Sequence, residues 1–118
     1  MKNEVSYLET STGKYPICFN LNVMEAIQDE YGTMSKWGEI VEDKNSGEPK
    51  IKDLKVGLLA MINEGIDIEN ENNDVKKPEM NSKQLGRIIS EVGFTEIVKT
   101  IKSITIKSTS TGEQSKNE

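Results

Sequence analysis

Cys18 is the one thiol of this chain, and no histidine accompanies it anywhere in the 118 residues. A nucleophilic cysteine acts as its thiolate and needs a partner, usually an imidazole, to lower its pKa. Without one, Cys18 reads as a packed strand residue, cysteine being among the most often buried side chains. The lack of histidine also removes His-based acid–base catalysis, Ser-His and Cys-His pairs, and imidazole metal ligands. Asp67, Glu69, Glu71 and Asp74 at first suggest oxygen ligands for calcium. An EF-hand loop counted from Asp67 needs glycine at its sixth position and glutamate at its twelfth, where Asn72 and Pro78 stand. They read instead as a solvated acidic loop. Gly13-Lys14 lacks the preceding glycine of a phosphate-binding loop, and nothing reads as a dinucleotide turn. No catalytic residue, cofactor site or metal site is expected, and the chain is expected not to be an enzyme.

What remains is contact chemistry. Leu58, Leu59, Met61 and Ile62 make a helix apolar over more than one face, which either lies in the middle of the domain or pairs with another chain. Trp37, the sole tryptophan, is more simply core, with an exposed interface anchor as the other reading. These five residues are the candidate partner-binding set.

The elements that must position them are an N-terminal hairpin and four or five short helices, an α+β, mostly helical fold. Residues 4–8 and 14–19 are rich in β-branched and aromatic side chains and flank the turn-forming ETSTG, which predicts a hairpin with a longer loop. Asn22 with Glu25 predicts a capping box opening the first helix, and Gly32 its end. A short second helix begins after Thr33 or Ser35 and carries Trp37, Ile40 and Val41. The spacing of Ile51, Leu54, Leu58, Met61 and Ile62 predicts a third helix to about Asn63 that Gly65 ends. Residues 66–79, acidic and rich in asparagine, read as a mobile loop. Asn81 with Gln84, and Met80 with Leu85, supply a capping box and a hydrophobic staple for a fourth helix ending at Gly93. Thr95 opens a last helix bearing Ile97, Val98, Ile101 and Ile104, while residues 101–107 fit helix or strand equally. Residues 108–118 carry no large apolar side chain and are expected to be a disordered tail after a single domain over 1–107.

Only 34% of residues are hydrophobic, so apolar side chains must be confined to one face of most elements. A net charge of −5 argues against nucleic acid, whose phosphates require surplus lysine and arginine, and against an anionic membrane surface. A lone cysteine fits a reducing compartment. The opening MKNEVSYLETS lacks the apolar core of a secretory signal, and no apolar run is long enough to span a bilayer. A cytoplasmic protein is expected.

The stretch GKYPICFNLNVMEAIQDEYGTMSKW resembles the N-terminal pattern of tail assembly chaperones from long-tailed bacteriophages of Gram-positive hosts. The resemblance rests on Gly13-Lys14-Tyr15-Pro16, on Phe19 to Asn22, and on Glu30-Tyr31-Gly32. The segments LKVGLLAMINEGIDIENE and SKQLGRIISEVG look similar to the same family, so the resemblance spans roughly residues 13–104. It implies a mainly helical protein with a small β element that self-associates in the bacterial host cytoplasm. It further implies that the protein keeps the tape-measure protein soluble, recruits tail tube subunits, and is absent from the finished virion. It also implies a longer product made by frameshifting, and the codons of Ser115-Lys116-Asn117 can form a slippery heptamer near the end of the gene. The rival expectations are a virion structural protein (connector or minor tail component) and a small regulatory binding module.

Overall fold

A computed structural model describes residues 3–43, 45 and 47–117, with side chains as far as residue 108. The architecture is α+β: a two-stranded antiparallel hairpin, β1 (Ser6–Thr10) and β2 (Gly13–Ile17), followed by five helices. These are α1 (Leu21–Tyr31), α2 (Met34–Val41), α3 (Ile51–Asn72), α4 (Ser82–Val92) and α5 (Phe94–Asn117). The expected tail over 108–118, the slippery-codon residues included, lies beyond the described side chains apart from Ser108.

The hairpin is tighter than its composition suggested. Thr10 pairs with Gly13, so Ser11 and Thr12 alone form the turn, and Gly13 takes φ +144, a value that favours glycine. The register sets Pro16 opposite Tyr7. Counting outward from the closing pair, this is a non-hydrogen-bonded position, where a missing N–H costs nothing. The tip is tied down by Glu91 of α4, whose carboxylate accepts the Ser11 N–H at 2.6 Å and the Ser11 hydroxyl at 2.9 Å.

Helix α1 starts earlier than predicted. Its cap is Asn20, whose side chain accepts the Val23 N–H, and Asn22 lies inside the first turn. The reason is Glu64 of α3. Asn20 donates to Glu64 Oε2 at 2.7 Å and to Asn3 Oδ1 at 2.8 Å while capping the helix. Both its side-chain polar atoms are thereby satisfied at 5% exposure. Gly32, at φ +87, ends α1 as expected, and Thr33 caps α2 by accepting the Lys36 N–H.

Helix α3 is the central element and packs against β2, α1, α2 and α4. It does not stop at Gly65 but runs to Asn72, which corrects the first half of the loop expected over 66–79; residues 73–79 lie outside any helix or strand, as expected. Leu54, Gly57, Leu58, Met61, Ile62, Gly65 and Ile66 are all buried, an unbroken stripe at helical spacing. The two glycines are there for close approach. A Cβ at Gly65 would stand 2.8 Å from the Pro16 carbonyl carbon and 2.9 Å from the Ile17 nitrogen. Without it, the end of β2 lies on the helix backbone, and the Cys18 N–H donates to the Met61 carbonyl at 3.0 Å. At Gly57 a Cβ would meet the Trp37 ring at 2.1 Å.

Beyond α3 the chain returns alongside it. Asn70 holds both the N–H and the carbonyl of Lys77, and Asn63 does the same for Met80. Both parts of the predicted α4 start are present: the reciprocal capping box of Asn81 and Gln84, and burial of Met80 and Leu85. Helix α5 begins at Phe94, directly after Gly93 (φ +98), with no separate cap at Thr95. It includes residues 101–107, so the helical alternative holds there. Ile97 and Ile101 join one core with Phe19, Ile27, Leu58 and Leu85.

Candidate functional site

Four of the five predicted contact residues are core. Leu58, Met61 and Ile62 are at most 1% exposed and Trp37 is 5% exposed; Leu59 is half-buried against the same cluster. Of the two readings of the apolar α3 surface, the folded monomer takes the central one. Three helices and the hairpin share its burial, so the buried α3 side chains present no face to a partner. Trp37 lies against the Asp53–Gly57 turn, its indole N–H donating to the Asp53 carbonyl at 2.8 Å.

The other singled-out residues are equally undramatic. Cys18 is fully buried, immediately after β2. Its thiol is pushed up from 9.0 to about 11, first by burial and then by the nearby Glu64 carboxylate, so it stays protonated at neutral pH. Asp67, Glu69 and Glu71 lie on α3 and not in a loop. Glu69 accepts from the Tyr7 hydroxyl and stands 4.0 Å from Lys77. No group of three or more histidine, cysteine, aspartate or glutamate side chains among the described residues is placed to hold a metal ion. No helix among them is long and apolar enough to cross a membrane.

Cys18 yields a pH prediction. Its pKa is raised in the fold, so between pH 9 and 11 the unfolded chain sheds a proton that the native chain keeps. Stability therefore falls as pH rises through that window, by about 2–3 kcal/mol for the thiol alone. Tyr31 acts in the same sense at higher pH. Burial, followed by its 2.6 Å hydrogen bond to Asp53, pushes its hydroxyl up to about 12. Urea unfolding across this range should show the decline, and Cys18→Ala should flatten it between pH 9 and 11; an unchanged slope would remove Cys18 as its source.

Among the concavities of the described residues is a groove of about 270 Å³ between α2 and α5. Its lining includes Met34, Trp37, Val41, Leu54, Val98 and Ile101, with Gly38 on the α2 wall and Ile106, 61% exposed, on the α5 wall. A second hollow, of about 530 Å³, adjoins it and shares Val41, Glu42, Val98 and Lys102. Across the shared segment Lys102 pairs with Glu42 at 2.6 Å, both side chains partly exposed. The two hollows thus form one trough with an apolar floor, bridged by one ion pair. Sequence reasoning missed this site because its walls lie far apart in the chain. The available signal was Gly38, a glycine inside a short helix, where it costs about 1 kcal/mol relative to alanine.

Comparison with protein families, with curated proteins and with solved structures finds no match.

Proposed function

We propose that this chain is a tail assembly chaperone of a long-tailed phage or prophage. In this reading it binds the tape-measure and tail tube proteins reversibly in the bacterial cytoplasm, self-associates, performs no catalysis and stays out of the finished particle. The observation that carries a binding role is the open trough between α2 and α5, whose floor is made of core side chains. Surface concavities with apolar floors and polar rims are what partner proteins fill. The tail-specific part rests on the resemblance of residues 13–104. The hairpin tip, the Pro16 register and the Gly32 helix end give its motifs structural roles: Gly13 closes the turn, Pro16 sits where no donor is needed, and Phe19 and Asn20 join strand to helix.

The test is co-expression of the tagged chain with the neighbouring tape-measure and tail tube proteins at moderate salt. Recovery of either client with improved solubility is the expected result. If both clients are ignored and the chain is found in purified particles, it is instead a virion component.

A further inference from the structure

We propose that the hollow between the hairpin tip and α4 binds the acidic bend that follows α3 in a second copy of this chain; this deepens the self-association proposed above and rests on that reading. The hollow measures about 250 Å³. Ile88 and the half-buried Tyr15 supply its apolar part, and Thr12, Gln84, Arg87 and Glu91 line the rest. Arg87 is the only arginine of the chain. Glu91, one helical turn on, is its natural surface partner. Both oxygens of Glu91 are taken, however, by the N–H and the hydroxyl of Ser11. Among the described residues Arg87 therefore forms no ion pair. Gln84 accepts the Asn81 N–H through its side-chain oxygen, which leaves its NH2 group to donate. The uncommitted groups of the hollow are thus a guanidinium fork and an amide N–H. Both are donors, and the fork matches a carboxylate bidentately.

The complementary surface is on the same chain. Val75 is 81% exposed, the most exposed large apolar side chain among the described residues. It stands in the bend after α3, and that bend is pinned. The Lys76 ammonium donates to the Asn70 and Asn73 carbonyls, and Asn70 holds the main chain of Lys77. A side chain held out by an ordered bend loses little freedom on binding. The charge around it is one-sided, with six carboxylates against two lysines over residues 64–79. Lys76 is spent on those carbonyls and Lys77 on Glu69. Glu71 and Asp74, both exposed, are left without an ionic partner among the described residues. In the contact, Val75 seats on Ile88 and Tyr15, and Asp74 beside it meets the Arg87 fork. Glu71 is offered to Lys83, which is exposed one turn before Arg87. Opposite charges across the contact fix its partner and its register. The contact is small, which places it in the weak, reversible class. It uses none of the residues that line the α2–α5 trough.

Sedimentation velocity of the full chain over a range of concentrations is the test, since mass action populates a weak contact. The average mass should rise above that of the monomer with concentration and fall back in high salt. Arg87→Glu and Asp74→Lys should each weaken association at least tenfold, and Val75→Ser several-fold. Melting of the dilute variants should be unchanged, because all three side chains are exposed. Mixing Arg87→Glu with Asp74→Lys should restore association to within a few-fold of the natural chain, because every bend then has a hollow of opposite charge to enter. Variants that had merely misfolded would not recover on mixing. A chain that stays monomeric at every concentration, undiminished association of a folded Arg87→Glu, or a mixture that remains monomeric overturns the proposal. Capture of tail clients by a monomeric chain would remove the contact and leave the chaperone reading. Association lost in Arg87→Glu and regained on mixing, with both clients ignored, would remove that reading and leave the contact.

Discussion

Gly57→Ala is expected to lose about 3 kcal/mol of stability, although alanine is the better helix former by about 1 kcal/mol. The added methyl would lie 2.1 Å from Trp37 Cζ2 and 2.7 Å from two further ring atoms. A flexible surface side chain could move away, but this ring is buried and held by its N–H bond to the Asp53 carbonyl. Relief requires either shifting α2 away from α3 or rotating the indole and leaving its N–H unpaired. Overpacking costs about 1–3 kcal/mol and the orphaned donor about 1–3 more, which outweighs the propensity gain. For a domain of this length the loss corresponds to roughly 10–15 °C in Tm. Thermal unfolding of Gly57→Ala and Gly38→Ala side by side is the check, since the same substitution should lower Tm at one glycine and raise it at the other. A rise at both would mean that α2 does not rest on α3 through Trp37.

Leu58→Ala is expected to cost about 3–4 kcal/mol. Leu58 is 1% exposed at the centre of the core, where truncation removes transfer free energy and leaves a cavity that rigid neighbours close only partly. The size of the effect decides between two roles for the α3 surface. A residue held for partner contact would lose binding and leave the melting transition in place. A core residue shifts the urea midpoint at an unchanged slope, because the area exposed on unfolding barely alters. A midpoint within about 0.5 kcal/mol of the natural chain, the range of ordinary surface changes, would return Leu58 to the interface reading.

Much of the fold was legible because several local signals agreed. At α4 the cap, the staple, the apolar stripe and the terminal glycine all point to the same helix, and each is present. At α3 the signals conflicted. Gly65 and the asparagine-rich stretch after it suggested an end, while Ile66 continued the stripe set by Ile62. Packing against β2 decided the matter, because Gly65 is the one residue that lets Pro16 and Ile17 approach the helix. Sequence alone cannot distinguish a glycine that ends a helix from one that admits a neighbour. The α1 cap was misplaced for a similar reason: Asn20 and Asn22 are equally good caps locally, and Glu64, distant in sequence, selects Asn20.

The candidate site was less legible still. Hydrophobicity is greatest at Leu58–Ile62, which marks the centre of the molecule, whereas a contact surface on a monomer needs apolar groups left uncovered. The α2–α5 trough is lined by residues of α2, α3 and α5 that are far apart in the chain, a relation that no local pattern records. Its only trace in the sequence is an unneeded glycine.

The central claim is that the protein works through the trough between α2 and α5. Its most direct test is hydrogen exchange on the chain alone and in complex with co-expressed tape-measure protein. The account predicts new protection concentrated in α2 around Gly38 and in α5 around Val98–Lys102, with the already protected α3 interior unchanged. Protection confined to the hairpin and α1, or none in α2 and α5 despite complex formation, would contradict it.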